Sequence, residues 1–149
     1  MVLDSTDLRN EPIFPIGVAA KMIGISPSTI RMYENEGLVV PYKTSTKMRL
    51  FTAEDLDWIK NIRSLIKQEK LSVEGIRRIL ALLPCWKIQK CSDKDKENCI
   101  AYNSKNYPCW SVMIESGGCN GIECRACAVY RNAENAFDTR KMLSEYTNY

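Results

Sequence analysis

Residues 16–37 read IGVAAKMIGISPSTIRMYENEG, and this stretch decides the fold of the N-terminal half. The apolar run 16–23 predicts a short helix that stops at Gly24. Ser26-Pro27 is a typical helix start, because serine caps the first turn and proline fits the first helical position. We expect the second helix to run from Ser28 to about Glu36. Two short helices joined by a tight turn predict a helix-turn-helix.

The residues that follow predict a small wing and two further helices. Residues 38–51 are rich in alternating and β-branched residues around a polar tip, which is typical of a hairpin. Thr52 is placed to cap a third helix, and Ser72 to cap a fourth helix that ends at Pro84. The apolar face of the third helix is expected to comprise Leu56, Ile59, Ile62 and Ile66.

Residues 14–83 resemble the DNA-binding domain of the MerR family of transcriptional regulators. The segments that carry the resemblance are IGVAA at 16–20, GIS at 24–26, TIRMYENEGL at 29–38, Arg49 with Phe51, TAEDL at 52–56 and LSVEGI at 71–76. Two features depart from the family pattern. The wing tip, residues 44–48, lacks the usual glycines, and Pro84-Cys85 stands where the long dimerisation helix would begin.

The resemblance implies that the second helix enters the major groove of double-stranded promoter DNA, where short polar and basic side chains reach bases or phosphates. Wing cations would hold phosphates and set the register. The predicted DNA-binding residues are Ser28, Thr29, Arg31, Tyr33, Lys43, Lys47 and Arg49. Two alternatives stay open: Arg31 as a solvated helix charge, and Tyr33 as a residue that packs against the wing.

Family members act as homodimers on palindromic promoters and distort the DNA, so RNA polymerase is an indirect partner. The resemblance therefore implies readout by DNA deformation as well as by direct contact. Without the usual long helix, dimerisation would have to come from the cysteine-rich half or from a C-terminal helix.

All seven cysteines lie between Cys85 and Cys127, and the chain has no histidine. A metal or cluster bound here would therefore have thiolate ligands, alone or with oxygen. The segment also contains a repeat, because each copy reads Cys-Trp, a spacer, Cys, seven residues, and Cys-x-x-Tyr. Residues 84–130 resemble a cysteine-rich "two-CW" module that is found in bacterial signalling proteins.

Cys119, Cys124 and Cys127 have the C-x4-C-x2-C spacing of plant-type iron–sulfur proteins, with a fourth ligand to come from elsewhere. The full set of candidate ligands is Cys85, Cys91, Cys99, Cys109, Cys119, Cys124 and Cys127. An iron–sulfur cluster is the predicted cofactor, and zinc is the alternative. Thiol-redox switching and capture of a soft metal also stay open.

The chain has 149 residues and a net charge of +3, and the positive excess lies in the cysteine-free half. It contains no apolar run that could cross a membrane or act as a signal peptide, so we expect a cytoplasmic protein. The absence of histidine, of a glycine-rich phosphate loop and of a nucleophile–base pair argues against an enzyme, even one with a DNA-binding appendage.

These observations predict a mainly α fold in which a winged helix-turn-helix of MerR type precedes a small cysteine-rich domain and a short C-terminal helix. The predicted layout is a flexible tail at 1–12, the DNA-binding domain at 13–83, the cysteine-rich sensor domain at 84–130 and the C-terminal helix at 131–149. The predicted function is a DNA-binding regulator that senses redox, gas or metal status through an iron–sulfur cluster. The alternative is a zinc-stapled winged-helix protein that senses nothing.

Overall fold

The computed structural model describes residues 8–116, 118–119 and 121–146. It divides into two compact units, Met1–Val73 (unit 1) and Glu74–Tyr149 (unit 2). The fold is mainly helical with one small sheet, which confirms the predicted fold class. In the described part of the chain, no helix is long and apolar enough to cross a membrane.

Unit 1 alternates short strands and helices. Its elements are β1 (Phe14–Pro15), α1 (Ile16–Ile23), α2 (Pro27–Asn35), β2 (Tyr42–Lys43), β3 (Arg49–Phe51) and α3 (Ala53–Lys67). Gly24, with φ of 83°, ends α1 in the left-handed conformation that glycine adopts without strain. The turn between α1 and α2 therefore forms where the sequence predicts it.

The sheet of unit 1 has three antiparallel strands in the order β1-β3-β2. Phe14 pairs with Phe51 at one edge, and Tyr42 pairs with Leu50 at the other. The sequence predicts the β2–β3 hairpin but not β1. This strand has only two residues, one of them proline, and nothing in its composition distinguishes it from a loop.

The core of unit 1 lies between the helices and the sheet. Its fully buried side chains include Ile30, Leu38, Phe51, Ile59 and Ile62. The third helix buries Leu65 rather than the predicted Ile66, which is half-buried. The difference is small, because Leu65 and Ile66 lie three and four residues after Ile62 and therefore flank the same apolar face.

A buried capping box anchors the start of α3. The Thr52 backbone N–H donates to Asp55 Oδ2 at 2.9 Å, and the Asp55 N–H donates to Thr52 Oγ1 at 3.0 Å. Both side chains are buried, and each accepts one of these two hydrogen bonds. The Trp58 indole N–H reaches the Leu38 carbonyl oxygen at 2.9 Å and ties α3 to the segment before the wing.

The predicted flexible tail covers residues 1–12. Residues 1–7 lie outside the described residues. Arg9 forms an ion pair with Asp57 on α3, and the Ile13 N–H donates to the Phe51 carbonyl at 3.2 Å. The described end of the segment is therefore fastened to unit 1.

Unit 2 consists of short helices and turns. Its α-helices are α4 (Val73–Leu80, which begins at the last residue of unit 1), α5 (Cys85–Ile88), α6 (Asp93–Glu97), α7 (Ile100–Asn103), α8 (Cys109–Met113), α9 (Ala128–Arg131) and α10 (Thr139–Tyr146). Its 3-10 turns are Ile114–Ser116, Cys124–Ala126 and Ala133–Phe137.

Helix α4 is grouped with the cysteine-rich half by its contacts. The Arg77 guanidinium lies over the Tyr107 ring, 4.7 Å from its centroid, and Arg78 donates to Asn106 Oδ1 at 3.3 Å. The division by packing therefore falls at Val73–Glu74, whereas the predicted boundary after residue 83 follows the family resemblance. The helix ends at Leu80, and a turn leads to Pro84.

The C-terminal part of unit 2 is divided between a 3-10 turn and α10. Ala136 in the turn and Met142 in α10 are buried, whereas Leu143 is 43% exposed. Trp110 and Val129, each 1% exposed, are also buried in unit 2.

Candidate nucleic-acid interface and cysteine cluster

The N-terminus of α2 carries a cluster of hydroxyl groups. Ser26 caps the helix, because its Oγ accepts the Thr29 N–H at 3.2 Å. The same Oγ lies 2.9 Å from Ser28 Oγ and 2.9 Å from Thr29 Oγ1. Ser28 is exposed, so a predicted DNA-contacting hydroxyl lies at the start of the helix and is oriented by the cap.

Arg31 and Tyr33 have different environments although they are two residues apart. Arg31 is exposed on α2. Tyr33 is only 2% exposed and is part of the unit 1 core. Burial therefore favours the packing interpretation of Tyr33 over a contact with DNA.

The wing is joined to α2 by a carboxylate that the sequence pattern did not indicate. Glu34 forms ion pairs with Arg49 and with Lys43, whose Nζ lies 2.9 Å from Glu34 Oε1. Burial alone would raise the pKa of Glu34, but hydrogen bonds from Arg49 and Lys43 outweigh it, and the pKa is lowered. Two predicted phosphate-binding cations are thus already paired. The residue spacing in the sequence did not predict these two ion pairs, because they form only when the wing folds back onto α2.

The wing tip is a tight turn that ends in a strained lysine. The Lys47 N–H donates to the Thr44 carbonyl at 2.8 Å, and the Thr44 N–H donates to the Met48 carbonyl at 3.0 Å. Lys47 has φ of 63°, which is the left-handed region that favours glycine. A hydrogen bond from the Met48 N–H to Thr44 Oγ1, at 3.1 Å, offsets part of the strain at Lys47. Lys47 is exposed at the tip.

The two copies of the cysteine repeat have the same internal packing. In the first copy, the rings of Trp86 and Tyr102 meet edge to face, with their centroids 5.1 Å apart. In the second copy, the rings of Trp110 and Tyr130 meet in the same way, with their centroids 5.2 Å apart. The two copies also pack against each other, because α7 of the first contacts α8 of the second, and α9 of the second contacts α5 of the first. The repeat in sequence is therefore matched by the same aromatic pair in each copy.

The first cysteines of the two copies, Cys85 and Cys109, influence each other's ionisation. An interaction with the Cys109 thiol, against the effect of burial, lowers the pKa of Cys85 to about 7, and the backbone N–H of Trp86 acts in the same direction. The interaction with Cys85, followed by burial, raises the pKa of Cys109 far above that of an ordinary thiol. Of the two thiols, Cys85 is therefore the more acidic.

Four cysteines line one small apolar cleft in the second copy. They are Cys109, Cys119, Cys124 and Cys127, with walls formed by Trp110, Met113, Ile122, Val129 and Tyr130. Burial raises the pKa of Cys119 to about 11, and the neighbouring Cys99 and Cys124 add to that shift. Burial, followed by the charge of Cys127, raises the pKa of Cys124. The structure thus brings the three cysteines of the C-x4-C-x2-C run together with Cys109.

A glycine turn places Cys119 on this cleft. Cys119 and Ile122 form an isolated bridge, with the Ile122 N–H 2.9 Å from the Cys119 carbonyl. A Cβ atom on Gly118 would lie 2.0 Å from the Ile122 carbonyl oxygen, so only glycine permits this approach. Gln89 of the first copy donates to Cys127 Sγ at 2.8 Å. Gln89 is a further residue that the sequence did not indicate.

Cys91 and Cys99 are not among the residues that line the cleft. Cys99 caps α7, and its Sγ accepts the Tyr102 N–H at 3.5 Å. Burial, followed by the charges of Cys85, Asp95 and Cys99, raises the pKa of Cys91. Within the described residues, no group of three cysteine, aspartate or glutamate side chains is close enough to surround a metal ion. The four cleft thiols would have to move closer together to do so.

Comparison with known proteins assigns the N-terminal half. Residues 14–83 match the family described as "MerR HTH family regulatory protein". Relatives include a protein described as heat shock protein HspR of Streptomyces coelicolor, 35% identical over 50% of this chain and 49% of its own length. The HTH-type transcriptional regulator GlnR of Bacillus cereus is 37% identical over 51% of this chain and 58% of its own length.

The HTH-type transcriptional regulator ZntR of Escherichia coli K12 is also similar, at 37% identity over 47% of this chain and 50% of its own length. The chain thus spans about half the length of the curated relatives it matches. The cysteine-rich segment lies outside the family match, and its resemblance to a two-CW module stays a prediction. Residues 14–83 of this chain are therefore a helix-turn-helix domain of the MerR family.

Proposed function

We propose that this protein is a transcriptional regulator that binds double-stranded promoter DNA through unit 1 and senses redox, gas or metal status through a thiolate-bound cofactor in unit 2. The family membership of residues 14–83 is the observation that carries the DNA-binding part. The cleft lined by four cysteines is the observation that supports the cofactor.

The proposed DNA interface is smaller than the predicted one. Ser28 and Arg31, exposed on α2, read the major groove, and Thr29 supports them through its contact with the Ser26 cap. Lys47 at the wing tip binds phosphate. Lys43 and Arg49 act first through Glu34, because their ion pairs hold the wing against α2.

Alanine substitutions test this interface on a duplex selected from a random pool by the wild-type protein. Arg31→Ala is expected to weaken binding of that duplex by about 1–3 kcal/mol and to relax its sequence preference. Lys47→Ala is expected to weaken binding of all sequences alike. Lys60→Ala, which removes the same charge from an exposed position on α3, is the control. Wild-type affinity in both test variants would refute the interface.

The cofactor we propose is an iron–sulfur cluster held by Cys109, Cys119, Cys124 and Cys127. The kind of donor is suitable, because such clusters are held by four thiolates, but the four thiols would have to move closer together to hold one. When bound, the cluster would supply reversible one-electron chemistry and sensitivity to oxidants. The apolar walls would limit access of water, and Gln89 would donate a hydrogen bond to the Cys127 sulfur.

Structural zinc is the second candidate, because four thiolates also complete the tetrahedral shell of a single zinc ion. Protein purified anaerobically separates the two. A cluster gives brown protein with broad absorption near about 400 nm. Colourless protein with stoichiometric zinc, from cells supplied with iron, would refute the cluster and support the zinc-stapled alternative.

The four proposed ligands can be checked directly. Cys124→Ser and Cys109→Ser are each expected to abolish cofactor retention, because either change opens the coordination shell. Cys91→Ser, which changes a thiol outside the cleft, is the matched control. Full metal content in both test variants would show that the metal is bound by other residues.

We further propose that the protein acts as a homodimer that distorts promoter DNA and so affects RNA polymerase indirectly. Support comes from the family of residues 14–83 alone. Light scattering in solution, followed by footprinting on a palindromic duplex, tests both parts. A monomer that protects a single half-site would refute the proposal.

A further inference from the structure

Helix α4 lies inside the family match but packs in unit 2. It spans Val73–Leu80, within residues 14–83, whereas the division by packing falls between Val73 and Glu74. Its buried side chains are Ile76 and Leu80. A helix of eight residues is not stable by itself in water. The last helix of the family-matched domain therefore depends on contacts within unit 2 for its order.

The polar face of α4 is held by residues 104–107, the segment that joins the two copies of the repeat and is called the joining segment below. The Arg77 guanidinium lies 4.7 Å from the centroid of the Tyr107 ring, which is the distance of a cation–π contact. Arg78 donates a hydrogen bond to Asn106 Oδ1 at 3.3 Å. Two neighbouring residues of the joining segment thus each contact an arginine of α4.

Both ends of the joining segment are fixed to the repeat. At the end of α7, the Ser104 N–H donates to the Ala101 carbonyl at 3.1 Å. At the start of α8, Pro108 is fully buried, and its carbonyl accepts the Ser111 N–H at 3.0 Å. Helices α7 and α8 also contact each other. A change in how the two copies pack therefore displaces the ends of the segment that holds α4.

The start of α4 is connected to α3 by a short, closed turn. Helix α3 ends at Lys67, so only residues 68–72 separate the two helices. Within this turn the Leu71 N–H donates to the Leu65 carbonyl at 3.1 Å, which fastens the chain to the last turn of α3. A displacement of α4 is therefore passed to α3 and is not absorbed by a flexible linker.

We propose that the joining segment controls how firmly α4 is held, and that its release from α4 weakens DNA binding by residues 14–83. The DNA part rests on the proposed function, whereas the hold on α4 requires no bound cofactor. The device has two arrangements, one with Tyr107 and Asn106 on the two arginines and one without these contacts. Packing between the copies biases the choice between them, and so does DNA if it binds the ordered helix.

Amide exchange in the full chain, followed by mass spectrometry, tests the hold on α4. Tyr107→Leu removes the ring, and α4 should exchange about two- to fivefold faster, the range expected for an exposed cation–π contact. Tyr107→Phe keeps the ring over Arg77 and should match wild type. Tyr107 is 48% exposed, so neither variant empties a buried site. Unchanged exchange in Tyr107→Leu, or equal acceleration in α4 and in Cys109–Met113, would overturn the proposal.

A second pair of variants tests the hydrogen bond in both directions. Asn106→Ala removes the acceptor for Arg78 and should speed exchange of α4 by about twofold or more. Asn106→Asp makes the hydrogen bond charge-assisted and should slow that exchange below the wild-type rate. Lys105→Ala, a change at the neighbouring exposed residue, is the control. Exchange in Asn106→Asp as fast as in Asn106→Ala would show that this contact does not hold α4.

The last arm measures affinity for the duplex selected by the wild-type protein. Tyr107→Leu should weaken binding by about two- to fivefold, because the contact shifts binding by no more than the stability that it gives to α4. Tyr107→Phe should bind as wild type. Both variants leave every charge of α4 in place, so a lost cation does not explain a difference between them. Faster exchange with equal affinity would overturn the link to DNA. If no form binds DNA, the proposed function fails, while exchange still decides the hold on α4.

Discussion

Unit 1 and unit 2 differ in what holds their helices in place. Helix α3 of unit 1 has fifteen residues, five of them buried, and begins at a complete capping box. In unit 2, α5, α7 and α9 have four residues each. Helices this short are not stable by themselves in water. Unit 1 is therefore stabilised by an aliphatic core, whereas unit 2 depends on aromatic pairs, turns and, in our proposal, a thiolate-bound cofactor.

Removal of the cofactor is expected to produce the largest difference between the two units. Chelation under reducing, anaerobic conditions should increase amide exchange across residues 85–137, because binding energy at thiolate sites is also folding energy. Residues 16–67 should keep their protection. Exchange measured by mass spectrometry on the full chain checks both segments at once. Equal loss in the two units, or no loss in either, would contradict the distinction.

The two tryptophans of the repeat should differ in importance. Trp110 is 1% exposed, whereas Trp86 is only half-buried. Trp110→Ala is expected to destabilise unit 2 by about 3–5 kcal/mol, the usual cost of emptying a large buried site. Trp86→Ala, its matched partner, should cost clearly less. Denaturation by urea, followed by exchange in each unit, provides the measurement, and equal costs would show that the copies contribute alike.

The ion pairs of Glu34 should give unit 1 a stability that depends on pH. Because the pKa of Glu34 is lower than its ordinary value of 4.5, the pairs stabilise the fold above that pH. Their contribution is lost as pH falls through the lowered pKa. Glu34→Gln should remove about 1 kcal/mol near neutral pH and flatten this dependence. Glu69→Gln is the control, because it makes the same charge change at an exposed position of unit 1. Parallel acid-unfolding curves for Glu34→Gln and wild type would argue against the pairs.

The smallest expected effect is a gain in stability at strained lysines in both units. Lys47 in unit 1 has φ of 63°, and Lys90 in unit 2 has φ of 54°. Replacing either by glycine relieves the left-handed strain and should stabilise its own unit by up to about 1 kcal/mol. Thermal unfolding checks the shift. A loss of stability in both variants would mean that the lysine side chains contribute more than the backbone strain costs.

The difference between the units also explains what could be predicted from sequence. The helices of unit 1 follow from local signals: Gly24 ends α1, Ser26 and Pro27 begin α2, and Thr52 caps α3. Strand β1 and the Glu34 ion pairs could not be predicted in this way. Both depend on segments that meet only after the wing has folded back, and no local pattern encodes that approach.

For the cysteine-rich half, spacing indicated the repeat and the run from Cys119 to Cys127, and the structure brings that run together at one cleft. Spacing left the fourth thiol open, because Cys109 stands outside the C-x4-C-x2-C run and meets it only through the folding of the second copy. The burial of Tyr33 was open for a similar reason. A tyrosine on a recognition helix has the same sequence signal whether it faces DNA or the core.

The Glu34 ion pairs also affect how DNA binding should respond to salt. Each phosphate that a free cation neutralises releases counterions and contributes a slope of about −0.9 to the logarithmic salt dependence. Lys43 and Arg49 bring their charges to the wing together with the carboxylate that balances them. Each copy of unit 1 should therefore release fewer counterions than its count of basic residues suggests. Its affinity for DNA should persist further into high salt than that of a wing with three unpaired cations.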